Sequence, residues 1–227
     1  AALTGRPISP AEVQELARLV LHPDDGPARA RVEGLRQRGI PVETLFLDLL
    51  AMTARYLGTL WEQDLCSFSD LTVGVGRLQQ VLRDISPGLV ARSHPASAPL
   101  RVLLLPAPGE QHTFGLVMVS EFFRSAGWDV AGGPLHSLDA AVVVRREWFD
   151  VVAFSLAAEM HLPRLTPAIA AVRKASVNPR VGILLGGPLF TLNPALATEL
   201  GADAVAVNGS LAPDIAAKLV DTRVSPC

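Results

Sequence analysis

The sequence predicts an α/β protein in which a bundle of four helices precedes a flavodoxin-like (Rossmann-like) domain with a five-stranded parallel sheet. Two observations carry this prediction. Apolar residues recur at helical spacing up to about residue 86, whereas short apolar runs alternate with helical stretches from residue 101 onwards. A segment rich in proline and serine lies between them. We therefore expect a helical domain at residues 1–86, a linker at 87–100 and an α/β domain at 101–227.

The first part of the chain carries the start and stop signals of four helices. Ser9 followed by Pro10 and Glu12 is typical of a helix start, because serine caps the helix and proline fits its first turn. The three further helices are predicted at residues 26–38, at 41–60 and from Ser67 or Ser69 to residue 85. Since the connections between them are short, we expect neighbouring helices to pack antiparallel.

The second part alternates strands and helices. Strands are predicted at residues 101–105, 129–132, 150–155, 180–185 and 203–207. Helices are predicted at residues 115–126, 138–148, 165–175, 194–200 and 211–220. This alternation predicts a parallel sheet with helices on both faces. The flavodoxin-like strand order follows as the expected topology.

The composition argues against several classes of function and structure. The formal net charge is −2, and each side of Pro95 carries 10 basic and 11 acidic residues. Neither part has the positive surplus that a nucleic-acid backbone selects, so direct nucleic-acid binding is not expected. No apolar run reaches the length of a membrane span, and we expect a cytoplasmic protein. Cys66 and Cys227 give neither a disulfide framework nor metal-site spacing.

A single histidine follows the first predicted strand of the sheet. His112 lies between that strand and a helix expected to begin at Gly115. An open α/β sheet binds ligands at the carboxyl ends of its strands, so this loop is a candidate binding loop. His112 could instead be a loop residue that only caps the helix. The third strand ends at Ser155 and the fourth at Gly186, so these residues are expected near the same edge.

Glu110, His112 and Gly115 together resemble a known signature. Their spacing is similar to the Asp-x-His-x-x-Gly motif of cobalamin-binding domains, with glutamate in place of aspartate. The resemblance implies that His112 is the lower axial ligand of a metal. Ser155 and the pair Gly186-Gly187 resemble the remaining signatures of these domains, where they make room for the nucleotide tail of the cofactor.

The helical part also resembles the module that precedes cobalamin domains. Trp61 follows a leucine-glycine pair by three residues, as does the tryptophan that packs near the upper face of the corrin ring in that module. Trp61 could also be a core residue of the bundle. Adenosylcobalamin photoreceptors carry a glutamate-histidine pair about ten residues further on. Leu71 and Thr72 stand there, so an upper axial histidine is missing.

Residues 109–115 and 71–82 together resemble the SCHIC domain of the AppA, PpaA and AerR antirepressors of photosynthetic bacteria, most closely the AppA branch. This resemblance implies heme sensing, with cobalamin as the alternative, coupled to release of a PpsR- or CrtJ-type repressor from DNA. It implies a protein partner and no enzyme activity. The expected ligand-binding residues are His112 as the metal ligand, Glu110, Gly115, Ser155, Gly186, Gly187 and Trp61. Candidate partners for heme propionates are Arg55, Arg77 and Arg164.

Two other functions remain open. A corrinoid carrier subunit of a methyltransferase combines the same kind of helical cap and α/β domain, although Glu110 and Ala157 depart from the carrier pattern. A ligand-free interaction module is the other. A stand-alone enzyme is not expected, because Ser155, Glu159 and His161 lack a nucleophile elbow or a pair of metal-binding histidines.

Overall fold

A computed structural model describes residues 6–89, 99–133 and 139–224 of the chain. The chain forms two compact units, Ala1–Val90 and Ala91–Cys227, and each has its own core. Most of the predicted linker, residues 90–98, lies outside the described residues. Its described start continues the helical unit as a 3-10 turn, Ser86–Gly88. No helix within the described ranges is long and apolar enough to cross a membrane.

The helical unit contains the four predicted helices. Its elements are α1 (Pro10–Leu21), α2 (Gly26–Gln37), α3 (Val42–Thr44), a π-helical segment (Leu45–Leu50), α4 (Ala51–Glu62) and α5 (Phe68–Ile85). The segments from Val42 to Glu62 follow one another directly and together form the predicted third helix. The π-helical stretch was not predicted, because apolar spacing in a sequence does not distinguish it from an α-helix.

Two capping boxes fix where helices begin. The backbone N–H of Glu12 donates to Ser9 Oγ, and the Glu12 carboxylate accepts from the Ser9 N–H at 2.9 Å. Ser67 and Asp70 repeat this arrangement at the start of α5, so the helix begins after Ser67 rather than Ser69. Each box satisfies backbone donors that a helix start leaves unpaired. The short polar side chains therefore determine both helix starts.

Thr53 is buried in α4, and its hydroxyl has no hydrogen-bond partner among the described residues. Valine has the same shape without the polar atom, so Thr53→Val should raise the free energy of unfolding by about 1 kcal/mol. Chemical denaturation of the two proteins measures this difference. Thr59→Val is the matched control, because Thr59 is exposed in the same helix and should change stability little. An equal or lower stability of Thr53→Val would contradict the expectation.

The α/β unit has the predicted topology. Its strands are β1 (Arg101–Pro106), β2 (Asp129–Gly132), β3 (Val151–Ser155), β4 (Gly182–Gly186) and β5 (Ala204–Ala206), all parallel in the order β2-β1-β3-β4-β5. Its helices are α6 (Phe114–Ser125), α7 (Ala140–Val144), α8 (Leu162–Ala175), α9 (Pro188–Leu192), α10 (Leu196–Glu199) and α11 (Ala212–Val224). Separate apolar clusters pack on the two faces of the sheet. The expected flavodoxin-like fold is confirmed.

Two predicted helices of this unit differ from the observed ones. The helix predicted at 138–148 is only α7 (Ala140–Val144) in the described part of that range. The chain must turn after it so that Phe149 is buried before β3 begins. The helix predicted at 194–200 is α10 (Leu196–Glu199), and a separate short helix that was not predicted, α9 (Pro188–Leu192), precedes it. Asn193 leaves helical geometry there because the residue before a proline disfavours it.

Candidate ligand-binding site

The candidate site lies at the carboxyl edge of the sheet. Pro106, Ser155 and Gly186 are register partners at the ends of β1, β3 and β4. Backbone bonds continue this pairing past the strands: Ala107 N–H donates to Ser155 O at 2.9 Å, and Leu156 N–H donates to Gly186 O at 3.0 Å. The topology thus brings together three segments that are distant in the sequence, as the prediction required.

Glu110 connects two loops of this edge. Its Oε1 accepts hydrogen bonds from the backbone N–H groups of Gln111 and His112, both at 2.8 Å. Its Oε2 accepts from the N–H groups of Ala157 and Ala158, at 2.8 Å and 2.9 Å, in the loop after β3. The side chain is fully buried. One carboxylate therefore fixes the histidine loop against the neighbouring loop.

These contacts keep Glu110 ionised. Burial raises the pKa of the carboxyl group, because it removes water from the charged form. Hydrogen bonds from the backbones of His112, Ala158 and Ala157 and from the His112 ring outweigh this effect and lower the pKa of Glu110 to about 2. A carboxylate that accepts several N–H donors is stabilised in its charged form. Glu110 is thus a hydrogen-bond acceptor throughout the physiological pH range.

His112 is held by the same carboxylate. Its Nδ1 lies 2.6 Å from Glu110 Oε1, so Nδ1 carries a proton and donates it to the carboxylate. In the neutral ring, Nε2 then has the free lone pair. The side chain is 72% exposed, although its neighbour Glu110 is buried. The arrangement presents one oriented imidazole nitrogen that can bind a metal.

The three predicted glycines differ in whether the fold of the protein leaves room for a side chain. Gly187 has φ +107°, and a Cβ there would lie 2.4 Å from the carbonyl oxygen of Leu156, so only glycine fits. A Cβ on Gly186 would make only ordinary van der Waals contacts with Ala206. Gly115 is exposed, and a Cβ there would have no atom within 4 Å. Packing in the protein therefore does not explain Gly115, which leaves open space at the start of α6.

Exposed apolar side chains follow several strands at this edge. Met160 follows β3, Leu192 ends α9, and Leu211 lies in the turn after β5; their exposed fractions are 77%, 85% and 45%. Thr191 Oγ1 donates to Val207 O at 3.1 Å, so α9 lies beside the end of β5. We call Met160, Leu192, Val207 and Leu211 the apolar rim. Exposed apolar surface beside a polar anchor is typical of a ligand site.

Two further candidate binding residues, Trp61 and Arg77, belong to the helical unit. Trp61 is in the helical unit, 45% exposed, and its ring packs edge-on against Phe68 with 6.2 Å between centroids. It is not the buried core residue of the alternative interpretation, and its role in ligand binding stays a prediction. Arg77 is not a free anion partner, because it donates to the backbone carbonyl groups of Val20, His22 and Pro23 at the end of α1.

Sequence reasoning did not find two features of the site. The N–H groups of Ala157 and Ala158 hold Glu110, but backbone donors leave no side-chain signal in a sequence. Gly109, with φ +91°, lies under the side chains of His161 and Arg164. The glycine after Pro108 could have indicated a turn with positive φ. The contact with α8 is long-range and had no signal.

Comparison with known proteins identifies the family of the α/β unit. The family described as "B12 binding domain" matches residues 100–216. The "Uncharacterized 20.5 kDa protein in bchF-crtJ intergenic region" of Rhodobacter capsulatus is 33% identical over 95 residues, 42% of this chain and 50% of the relative. The chain thus spans about half the length of that relative. The structure of the Methanosarcina barkeri monomethylamine corrinoid protein is similar with a TM-score of 0.71 at 14% identity, over 93% of this chain and 100% of that chain.

The family match bears on the ligand. The sequence resemblance led us to expect heme, with cobalamin as the alternative. The family match supports cobalamin and gives no support to heme. The likeness to the corrinoid protein concerns the fold, since the identity is low. The sequence favoured heme only through its resemblance to AppA-type antirepressors, and the glycines at the ends of the strands already favoured cobalamin.

Proposed function

The chain belongs to the B12 binding domain family, and we propose that it binds cobalamin with His112 as the lower axial ligand of the cobalt. The observation that carries this proposal is the hydrogen bond between His112 Nδ1 and Glu110 Oε1 at 2.6 Å. It leaves Nε2 as the metal-binding atom. Metal-bound histidines commonly donate their other nitrogen to a carboxylate, which fixes the ring and raises its basicity.

The residues present fit such a ligand. A single imidazole nitrogen suits a metal whose equatorial positions are filled by a macrocycle. The open space beside Gly115 and the apolar rim can take a large ring and its substituents without displacing packed side chains. The cobalt would supply ligand exchange when bound, and His112, oriented by Glu110, would hold it. Ser155, Gly186 and Gly187 are proposed to line the same site.

Titration of the protein with hydroxocobalamin and, in parallel, with hemin tests the ligand. We expect saturable binding of hydroxocobalamin with a shift of its absorption bands, as the histidine replaces the cofactor's own base. Hemin should bind weakly and without defined ligation bands. Tight, spectrally defined hemin binding together with absent cobalamin binding would reverse the proposal in favour of heme.

Gly115 and Gly187 form a matched pair of test positions. Gly115→Ala should leave stability unchanged or raise it by up to about 1 kcal/mol, because alanine is the better helix former. It should weaken cobalamin binding at least about tenfold, because the methyl group occupies ligand space. Gly187→Ala should lower stability by more than about 2 kcal/mol through backbone strain. Denaturation and absorption titration measure the two effects, and unchanged affinity of Gly115→Ala would remove this residue from the site.

We further propose a regulatory role through a DNA-binding repressor of the PpsR or CrtJ type. Two observations support it: the resemblance of residues 71–82 and 109–115 to antirepressors, and a relative named for the bchF-crtJ intergenic region. The balanced charge of both parts favours a protein contact over a DNA contact. Pull-down with that repressor, with and without cobalamin, should show ligand-dependent binding. Salt-sensitive DNA binding by this chain alone would contradict it.

A corrinoid carrier role is the second candidate. The fold similarity to a protein named as a corrinoid protein favours it. A carrier passes a methyl group between partner enzymes, whereas a sensor changes its affinity for a partner. Binding of the repressor by the cobalamin-loaded chain, without methyl transfer to a thiol acceptor in the presence of a methyltransferase, distinguishes the sensor. We propose that the chain has no enzyme activity by itself.

A further inference from the structure

Two basic side chains fold back over Gly109, next to the loop that carries His112. A Cβ placed on Gly109 would lie 2.6 Å from Arg164 Nη1 and 3.0 Å from His161 Nδ1. Both side chains therefore converge on one point at the carboxyl edge of the sheet. Gly109 also has φ +91°, a backbone conformation that favours glycine.

The position of this pair is fixed by contacts already described. His161 ends the 3-10 turn after β3, and Arg164 lies in the first turn of α8. Glu110 is the residue after Gly109. Its Oε2 accepts hydrogen bonds from the N–H groups of Ala157 and Ala158, which shortly precede His161 in the chain. The two loops therefore cannot separate without breaking buried charge-assisted hydrogen bonds. The backbone before the basic pair is therefore tied to the loop that carries His112.

Neither basic group has a counter-charge within the described part of the chain. Elsewhere, Arg101 contacts Asp129 and Glu147, and Arg173 contacts Asp203. The side chains of Arg164 and His161 make no hydrogen bond or ion pair with any described residue, although the His161 backbone N–H donates to Ala158 O at 3.1 Å. An arginine held over a backbone turn, with an imidazole beside it and no acid opposite, has its donors available for an incoming anion.

We propose that Arg164 and His161 form a phosphate-binding site at the rim of the cobalamin site. A guanidinium group presents parallel N–H donors that match phosphate oxygens, and the imidazole adds a further donor. The N-terminus of α8 adds a favourable dipole at the same point. The phosphate has two possible sources: the phosphodiester in the nucleotide tail of cobalamin, or free phosphate. The first source rests on the proposed function.

The test compares ligands with and without the phosphate. Hydroxocobalamin carries the phosphodiester, whereas cobinamide has the same ring without phosphate or nucleotide. Arg164→Ala and His161→Ala are titrated with hydroxocobalamin and with cobinamide. Binding of inorganic phosphate is measured by the change in melting temperature. Arg164→Lys keeps the positive charge without the guanidinium group and so tests whether charge alone suffices for binding. Arg146→Ala is the matched control, because Arg146 is an exposed arginine after α7, at the opposite edge of the sheet.

If the phosphodiester is bound, Arg164→Ala should weaken hydroxocobalamin binding about tenfold and leave cobinamide binding within about twofold. His161→Ala should give a smaller loss of the same kind, and Arg146→Ala should change neither. If free phosphate is bound, it should raise the melting temperature of the parent, and Arg164→Ala should abolish this rise.

Two results would overturn the site. One is an unchanged response of Arg164→Ala to all three probes. The other is an equal loss for hydroxocobalamin and cobinamide, which would mean that Arg164 contacts the ring substituents. A parent protein that binds neither cobalt compound refutes the proposed function separately. In that case the titration with inorganic phosphate alone tests the site of Arg164 and His161. If phosphate does not raise the melting temperature of the parent, the proposed site is wrong.

Discussion

Glu110→Gln is expected to lower the free energy of unfolding at neutral pH by about 3 kcal/mol, because the pKa of Glu110 falls from its ordinary value of 4.5 to about 2 in the folded chain. The carboxylate accepts from four backbone N–H groups and from the His112 ring. A glutamine amide would direct an NH₂ group at donors of the same kind, leaving buried groups unpaired.

The pH dependence of this effect has a defined sign. A carboxyl group whose pKa is lowered by folding stabilises the folded state above its unfolded pKa. Its contribution should therefore be complete above about pH 5 and should fall as the pH approaches 2. The difference in stability between the parent and Glu110→Gln should shrink over this range.

Denaturant unfolding at several pH values measures this difference. Glu159→Gln is the matched control, because Glu159 is an exposed glutamate close in the sequence and should change little. A stability difference that stays constant from neutral to acidic pH would mean that Glu110 is not held as described.

His112→Ala is expected to leave folding intact and to remove most of the ligand affinity. The side chain is 72% exposed, so stability should change by less than about 1 kcal/mol. Cobalamin affinity should fall tenfold or more, with absorption bands shifted towards those of the free or water-ligated cofactor. Absorption titration measures both.

A second histidine provides the control. His22 is exposed in the helical unit, and His22→Ala should retain the affinity and the spectrum of the parent. If His112→Ala binds cobalamin as the parent does, with unchanged bands, His112 is a loop residue and the axial assignment is wrong.

Much of the fold could be predicted because local signals agreed with the final structure. The apolar run before Pro106 is a central strand, as a strand covered on both faces should be. Ser9 and Glu12 marked a helix start that the structure contains. The short extent of α7 and the separate helix α9 were missed, because tertiary packing ends the first and the proline after Asn193 ends the second.

The site was predictable only in part. The spacing of Glu110 and His112 gave the loop and the chemistry, because both residues lie in one short segment. The partners of Glu110 in the loop after β3 are backbone groups 47 and 48 residues away, which side-chain patterns do not reveal. Arg77 was a reasonable anion candidate by residue type, but the open carbonyl groups at the end of α1 bind it.

The most direct test of the central claim is an electron paramagnetic resonance spectrum of the protein with the cobalt(II) form of cobalamin. The unpaired electron couples to a nitrogen bound along the axis and splits its lines into triplets. With histidine labelled in the ring by the heavy nitrogen isotope, the triplets should become doublets, because the axial nitrogen then comes from the protein, and His112→Ala should abolish this change. Triplets that remain in the labelled protein would mean that cobalamin keeps its own base on the metal, which would contradict the account.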